Sequence, residues 1–172
     1  MNKTSKFRRT MRPVVWETIS GALRPTTRWR VLPDYLIVGT QRGGTTSLQN
    51  VLMAHPNITS ARLMKGVHYF DTGYHRGAKW YQLQFPTRMY ARWIEKRTGS
   101  PLRVGEASPY YMFHPLAVDR IAQDLPGIKV IALLRDPVER AISHHKHEVR
   151  RGNEPLSLEA ALDAETERLA GE

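Results

Sequence analysis

One stretch decides the fold of this chain: Tyr35–Leu48, with the sequence YLIVGTQRGGTTSL. Four apolar or aromatic residues before a glycine predict a short buried strand, and the hydroxyl residues after two further glycines predict the start of a helix. A glycine-rich turn between a strand and a helix points backbone N–H groups and the helix N-terminus at a single spot. The sequence therefore predicts that this turn binds a phosphate-like anion.

The small and polar residues of the turn can all contribute to such a site. The two glycines let the backbone approach an anion closely and accept positive φ at low cost. The hydroxyl residues can cap the helix and donate to anionic oxygens. The predicted anion-binding residues here are Gln41, Arg42, Gly43, Gly44, Thr45, Thr46 and Ser47.

The turn differs from the P-loop of nucleoside triphosphatases in the position of its cation. That motif has a lysine directly after its last glycine. Here Thr45 follows Gly44, and the nearest cation is Arg42 upstream. We therefore expect no ordinary ATP or GTP hydrolysis, and a P-loop kinase is the weakest of the alternatives.

A second anion pocket is predicted after the apolar strand Lys129–Leu134. Arg135 at the end of the strand supplies a bidentate fork of donors. Pro137 is typical of the first position of a helix, and Ser143 lies two turns along that helix. The second segment therefore offers a guanidinium and a hydroxyl to the same kind of ligand.

Together the two segments resemble the sulfotransferases that use 3′-phosphoadenylyl sulfate (PAPS). In that family the first loop holds the 5′-phosphosulfate and the strand-Arg-helix-Ser element holds the 3′-phosphate. The resemblance implies PAPS as sulfuryl donor and no metal. Similarity to the heparan-sulfate-type enzymes and their bacterial relatives extends to Lys65–Asp71, Gly77–Tyr81, Phe85–Pro86 and Gly105–Tyr111. It runs from Asp34 to the C-terminus in the family's order.

Apolar strands alternate with helices, which predicts βαβ units and a parallel sheet covered by helices on both faces. With the resemblance, this is the α/β, P-loop-like three-layer fold. Strands are expected at 35–39, 102–106 and 129–134, and a short strand or extended edge at 67–70. Helices are expected at 45–54, 78–85, 88–97, 115–125, 137–151 and 157–169. Arg42, Glu106 and Arg135 each follow a different strand, where ligands of such sheets bind.

The resemblance also suggests catalytic residues. Arg42 lies where the family usually has a lysine that contacts the bridging oxygen of the leaving group. The glycosaminoglycan enzymes use a glutamate as base where this chain has Gly66. His68 can accept a proton at neutral pH, and we predict that it is the base. A histidine that only donates or accepts structural hydrogen bonds is the alternative.

Further site residues follow from the same comparison. Glu106 matches the glutamate of the family's Glu-Lys-Thr-Pro pattern, although Ala107 replaces the lysine, and we assign it to the catalytic group with Arg42 and His68. Tyr110 or Tyr111 is expected to line the acceptor cleft, and Asp71 to bind the acceptor or orient His68. The predicted acceptor-binding residues are Lys65, His68, Asp71 and Tyr110.

Positive charge is concentrated at the N-terminus of this chain, whose formal net charge is +10. The cations before Val31 are Lys3, Lys6, Arg8, Arg9, Arg12, Arg24, Arg28 and Arg30, and the acid there is Glu17. We predict a basic, partly ordered leader at 1–33 and one sulfotransferase domain at 34–172. A nucleic acid is not the expected partner. Because a basic leader can bind nucleic acid, a nucleic-acid-binding protein remains an alternative.

Cysteine is absent, which excludes disulfides, thiolate catalysis and cysteine-ligated zinc. The helical histidines His144, His145 and His147 have no evident further ligand, so we predict a solvated basic helix there and no metal. No apolar run reaches the roughly 20 residues that span a bilayer, and the N-terminus does not resemble a secretory signal. The resemblance implies a membrane anchor in the animal relatives. Because this sequence shows no such apolar segment, we expect a cytoplasmic, bacterial enzyme.

The leading hypothesis is transfer of a sulfuryl group from PAPS to a hydroxyl or amine of a carbohydrate or glycolipid. Family members continue to a basic-glycine-tyrosine element that closes over the nucleotide, and nothing after Glu159 matches it. We therefore expect an incomplete domain, and a catalytically impaired relative that binds PAPS or its diphosphate product is the alternative. The sequence predicts neither the particular acceptor nor the oligomeric state.

Overall fold

A four-stranded parallel sheet forms the centre of the fold, in a computed structural model that describes residues 23–61 and 66–170. Its strands are β1 (Tyr35–Gly39), β2 (Ile58–Ser60), β3 (Arg103–Ala107) and β4 (Lys129–Ala132). They lie in the order β2-β3-β1-β4, and each neighbouring pair is parallel. The predicted α/β architecture with a parallel sheet is confirmed.

Helices connect and flank the strands. They are α1 (Thr45–Met53), α2 (Ala78–Gln82), α3 (Arg88–Thr98), α4 (Ala117–Asp124), α5 (Pro137–Arg151), α6 (Leu158–Asp163) and α7 (Glu165–Leu169). Local sequence explains their ends: the Thr87 hydroxyl accepts from the Tyr90 amide at the start of α3, and Gly99 ends that helix at φ +74°. The single helix expected at 157–169 is divided at Ala164.

The strand register brings the predicted site residues to one edge of the sheet. Ile37 of β1 lies opposite Ala107 of β3 on one side and opposite Ile131 of β4 on the other. Because all these strands run in the same direction, the segments that follow β1, β3 and β4 leave the sheet at the same edge. That edge is where ligands of open α/β sheets bind.

A cluster of buried aromatic rings joins the segment after β2 to the sheet. It comprises Tyr69, Phe70, Tyr81, Phe85 and Tyr111, and neighbouring centroids lie 4.6–5.4 Å apart. All five side chains are at most 2% exposed. Large buried rings contribute much of the apolar area that stabilises a core, so residues 67–85 are part of the core and not a surface excursion.

Two predictions about strands were wrong. Residues 67–70 belong to no strand and run into a turn at 69–73; His68 adopts φ +53°, and the backbone N–H groups of His68 and Tyr69 donate to side chains. The strand at Ile58–Ser60 was missed, because its three residues are too few to show an alternating pattern.

The start of the described chain packs against the domain. Residues Arg24–Trp29 form a 3₁₀ helix, the Val31 amide donates to the Pro86 carbonyl, and Arg30 Nη1 donates to the Phe85 carbonyl at 2.7 Å. Residues 24–31 were assigned to the leader from their charge, yet they make these contacts. The rest of the predicted leader, residues 1–22, lies outside the described residues.

Candidate functional site

The loop between β1 and α1 presents an open helix N-terminus. Gly44 is the N-cap of α1 at φ +95°, and no side chain within the described residues caps this helix. The hydroxyl residues therefore do not act as caps: Thr45 is buried, while Thr46 and Ser47 are exposed. The N–H groups of a first helical turn have no partner inside the helix, so those of α1 are available to an anion.

Contacts with the end of β4 hold this loop in place. The Thr40 amide donates to the Leu133 carbonyl at 2.8 Å, and the Leu133 amide donates to the Gly39 carbonyl at 2.8 Å. A Cβ atom at Gly43 would lie only 2.8 Å from the Leu133 carbonyl oxygen. Glycine is thus required at 43 for close approach, and Gln41 lies half-buried in the same loop.

The two predicted anion-binding segments contact each other. Arg42 Nε donates to Ser143 Oγ at 3.2 Å, and Arg135 Nη1 donates to the Arg42 carbonyl at 3.3 Å. Arg135 also pairs with Glu139 at 2.9 Å. The tertiary structure therefore places Arg42, Arg135 and Ser143 in one group, although Arg42 and Ser143 are 101 positions apart in the chain.

A cavity of about 290 Å³ lies beside this group. It is lined by Arg135, Glu139, Ile142, Ser143, Lys146 and Arg150. Three cations face one carboxylate in this lining, which favours an anionic ligand. Lys146 and Arg150 were missed from the sequence, although their spacing from Ser143 places them on the same face of α5.

The N-terminus of α5 differs from that of α1. Its N-cap Asp136 accepts from the Glu139 amide, so the first turn of α5 already has a negative partner. The helix α5 consequently offers side chains to an anion in the cavity, whereas α1 offers the backbone N–H groups of its first turn to an anion.

His68 and Asp71 form a second group of polar residues. Asp71 Oδ2 lies 2.7 Å from His68 Nδ1, with the carboxylate fully buried and the imidazole 45% exposed. The hydrogen bond that His68 donates to Asp71 raises the pKa of His68, and the charge of Glu106 adds to this rise. Burial alone would raise the pKa of Asp71, but hydrogen bonds from His68 and Thr72 lower it. The buried Asp71 carboxylate cannot contact an acceptor, and its hydrogen bond suits the predicted role of orienting His68.

Glu106 lies at the centre of a buried network of hydroxyl groups. Its Oε1 accepts from Ser108 Oγ at 2.5 Å and from the Tyr111 hydroxyl at 3.0 Å, and its Oε2 accepts from the Tyr81 hydroxyl at 2.9 Å. Burial raises its pKa, and the three hydrogen bonds partly offset that effect. The side chain is 2% exposed. The sequence prediction placed Glu106 in the catalytic group. This buried geometry does not fit a carboxylate that touches substrate.

The tyrosines after β3 have different surroundings. Tyr111 is 1% exposed and belongs to the core, so it does not line a cleft. Tyr110 is half-buried, and its ring packs 5.4 Å from Phe113 and 6.1 Å from His114. Lys65, the remaining predicted acceptor contact, lies outside the described residues.

The His68 group bonds to the segment after β3, whereas the Arg42 group follows β1 and β4. The Ser108 amide donates to the Ile37 carbonyl at 3.1 Å, and the Met112 amide donates to the Val38 carbonyl at 2.9 Å. These bonds hold the segment after β3 against the end of β1. The His68 group and the Arg42 group therefore lie at the same edge of the sheet.

The helical histidines do not gather into a metal site. His145 Nε2 lies 2.9 Å from the Leu156 carbonyl oxygen, and His147 Nε2 lies 3.8 Å from Glu148. Within residues 23–61 and 66–170, no three His, Cys, Asp or Glu side chains are arranged to hold an ion. The expectation that the reaction needs no metal stays a prediction. None of the helices described has the length and apolar character that crossing a bilayer requires.

Comparison with known proteins bears on this geometry. Residues 32–168 match the family described as Sulfotransferase domain. The chain is 34% identical over 119 residues to the membrane-associated sulfotransferase kil1 of Dictyostelium discoideum, covering 69% of this chain and 24% of that protein. It is 34% identical over 132 residues to the bifunctional heparan sulfate N-deacetylase/N-sulfotransferase 4 of Mus musculus, covering 74% of this chain and 14% of that protein.

A solved structure and a third relative agree with these matches. Heparan sulfate glucosamine 3-O-sulfotransferase 3B1 of Mus musculus is 30% identical over 129 residues, covering 75% of this chain and 30% of that protein. The crystal structure of a sulfotransferase from Alicyclobacillus acidocaldarius superimposes with a TM-score of 0.61 at 30% identity, covering 82% of this chain and 60% of that one. The chain thus spans less than a third of these three curated relatives. On the family match and the shared fold, the chain belongs to the sulfotransferase domain family.

Proposed function

We propose that this protein transfers the sulfuryl group of PAPS to a hydroxyl or amine of a carbohydrate acceptor. The observation that carries the proposal is the contact between the two anion-binding segments, through Arg42, Ser143 and Arg135. A donor with phosphate groups on both its 5′ and 3′ sides needs two cationic positions close together. The family match supports this donor.

The residues present fit such a donor. The open N-terminus of α1, with Gly43 and Gly44 before it, suits the 5′-phosphosulfate. Arg135 and Ser143 suit the 3′-phosphate, because a guanidinium and a hydroxyl both donate to phosphate oxygens. Lys146 and Arg150 add positive charge to the same cavity.

In the proposed reaction the acceptor oxygen or nitrogen forms a bond to sulfur, and the bond from sulfur to the bridging phosphate oxygen breaks. Negative charge develops on that bridging oxygen, where Arg42 would stabilise it. The proton of the acceptor passes to Nε2 of His68. Nδ1 donates to Asp71, so Nε2 carries the free lone pair in the neutral tautomer.

The acceptor class is inferred from the relatives, two of which are named for heparan sulfate. We propose a carbohydrate acceptor, with a glycolipid as the alternative. Lys65 and Tyr110 are proposed acceptor contacts. The cytoplasmic, bacterial location stays a prediction, and one relative is named as membrane-associated.

One observation favours a second candidate, a relative that binds the donor without efficient transfer. Gly66 adopts φ +68°, and an added Cβ there would lie 3.1 Å from His68 Nε2. A side chain at position 66 would crowd the imidazole, and glycine itself supplies no carboxylate there. If His68 does not replace it as base, the chain binds PAPS or its 3′,5′-diphosphate product and turns over slowly. The nucleic-acid alternative depends on the basic residues before Val31, of which residues 1–22 lie outside the described part of the chain.

Calorimetric titration with adenosine 3′,5′-diphosphate, compared with ATP, tests the donor site. We expect the 3′,5′-diphosphate to bind more tightly than ATP. Arg135→Ala should weaken it by about 10- to 150-fold, the loss of a charge-assisted hydrogen bond. Arg103→Ala is the matched control, because Arg103 begins β3 at the opposite edge and pairs with Asp34. Equal binding of both nucleotides, or no effect of Arg135→Ala, would contradict the assignment.

Transfer itself is measured with ³⁵S-labelled PAPS and N-deacetylated heparan sulfate, heparosan and a glycolipid as acceptors. Arg42→Ala should lower kcat by about 10²- to 10³-fold, the range for removing one donor to a developing negative charge. Near-normal turnover of this variant would remove Arg42 from that role. Tight binding of the diphosphate without transfer to any acceptor would favour the impaired relative.

A further inference from the structure

The backbone of the turn that carries His68 is held by hydrogen bonds at successive peptide groups. This His68 turn comprises residues 67–73. The His68 amide donates to Ser108 Oγ at 3.0 Å, and the Tyr69 amide donates to the Tyr111 hydroxyl at 2.8 Å. The Gly73 amide closes the turn on the His68 carbonyl at 2.8 Å. The first two of these partners come from the segment after β3.

Both partner hydroxyls lead to the same carboxylate oxygen. Ser108 and Tyr111 each accept an amide hydrogen from the His68 turn and each donate their own hydrogen to Oε1 of Glu106. A hydroxyl has one hydrogen and two lone pairs. An ionised carboxylate only accepts, so it takes that hydrogen and leaves a lone pair of each hydroxyl facing the turn. Glu106 thus sets the direction of both hydrogen bonds.

The turn needs such support, because His68 has a strained backbone. It adopts φ +53°, a conformation that side chains other than glycine rarely occupy. Such residues persist where the surrounding structure determines their conformation. The imidazole is 45% exposed, so few packing contacts can orient it from the solvent side. Its position depends on the backbone and on Asp71.

We propose that Glu106 is a positioning residue, which orients His68 through Ser108 and Tyr111 without touching substrate. The inference rests on the proposed role of His68 as base. Glu106, Ser108 and Tyr111 are 2%, 0% and 1% exposed, respectively, so all three act from inside the protein. This role explains why a buried carboxylate lies directly beneath the turn.

Two isosteric variants separate positioning from general stability. Tyr111→Phe removes the link between Glu106 and the Tyr69 amide. Tyr81→Phe removes a hydrogen bond of similar length to the same carboxylate, at Oε2, that does not lead to the turn. Both rings are buried and packed against aromatic neighbours. Tyr111→Phe also removes the acceptor of the Tyr69 amide, so the two variants are compared at the turn, and only Tyr111→Phe should disturb His68.

NMR on the whole chain reads out the turn without any substrate. In Tyr111→Phe we expect exchange of the Tyr69 amide to quicken by about tenfold, the effect of losing one hydrogen bond. The His68 imidazole should titrate at lower pH because its alignment with Asp71 loosens. Neither quantity should change in Tyr81→Phe. Equal behaviour of the two variants would overturn the proposal.

Glu106 itself is tested by a graded pair. Glu106→Gln keeps an oxygen acceptor for both hydroxyls, and it should retain most of the protection of the His68 and Tyr69 amides. Glu106→Ala should lose it. If both variants keep wild-type exchange at these amides, Glu106 does not position the turn. Because these readouts need no turnover, absence of sulfuryl transfer would contradict the proposed function and leave this inference standing.

Discussion

At the scale of single residues, His68 combines three properties that general-base catalysis needs. One ring nitrogen is held by Asp71, the other carries a free lone pair in the neutral tautomer, and the imidazole is 45% exposed. Asp71 raises the pKa of His68 toward physiological pH, where a base is most effective. None of these properties follows from the residue type alone. Each one depends on a partner that the turn brings close.

Asp71→Asn should change the pH dependence of transfer in a defined direction. His68 accepts a proton only when neutral, so kcat rises with pH through its pKa. That pKa lies above 6.5 because of Asp71, and removal of the carboxylate should move the acidic limb of the profile to lower pH. The plateau should fall by about 10²-fold as orientation is lost.

Asp124→Asn serves as the control for this profile. Asp124 accepts from the hydroxyls of Tyr69 and Tyr74 and does not contact the imidazole. Its profile should keep the wild-type midpoint. An acidic limb that stays in place in Asp71→Asn would show that another group is the base.

At the scale of elements, α1 and α5 would bind the proposed donor in different ways. The N-terminus of α1 is open, and α1 begins after the glycines of the loop. The N-terminus of α5 is capped by Asp136, and Arg135 before it pairs with Glu139 on its first turn. A phosphate at Arg135 must therefore compete with Glu139 for the guanidinium.

Glu139→Gln should tighten binding of adenosine 3′,5′-diphosphate. The ion pair is solvent-exposed, and such pairs contribute about 0.2–1 kcal/mol, so we expect an affinity gain of about 1.4- to fivefold. The gain should shrink as salt concentration rises. Calorimetric titration at two ionic strengths measures both effects.

A carboxylate elsewhere on α5 provides the comparison. Glu148 pairs with Arg151 near the end of the helix and does not line the cavity. Glu148→Gln should leave the affinity nearly unchanged. Weaker binding in Glu139→Gln would mean that Glu139 orders Arg135 more than it competes for it.

At the scale of the whole molecule, β1 links the two groups of the candidate site. It lies between β3, which carries Glu106 near its end, and β4, which is followed by Arg135. The donor would contact α1 and α5 together, and so join segments that are far apart in the chain. A ligand that binds only the folded state stabilises it by mass action.

Adenosine 3′,5′-diphosphate should therefore raise the Tm of the protein. At about 100 times its Kd the stabilisation is about 2.7 kcal/mol. For a domain of this size that corresponds to a rise of roughly 5–10 °C. Differential scanning calorimetry of wild type, with the double variant Arg42→Ala/Arg135→Ala as control, measures it. The double variant should show no comparable rise, and an equal rise in both proteins would place the nucleotide elsewhere.

The structure confirms much of the local interpretation of the sequence. Strands β1, β3 and β4 and helices α1, α3 and α5 lie close to the predicted ranges, because apolar runs, glycines and capping residues act over a few neighbouring positions. The same local signals failed at 67–70, where tertiary hydrogen bonds impose a turn on an apolar run. They also failed at Ile58–Ser60, where pairing with β3 makes a strand of three residues.

The sequence by itself predicted the two candidate anion-binding segments and the fold that carries them. The glycine turns, strand ends and helix starts that define these segments depend on residues that are neighbours in the chain. What only the tertiary structure decided is which groups meet. It brought the Arg42 guanidinium within hydrogen-bond distance of Ser143 and buried the Asp71 carboxylate against His68. It also buried the Glu106 carboxylate among hydroxyl groups instead of exposing it to an acceptor. The physical reason is that buried polar groups must find partners, and here those partners come from distant parts of the chain.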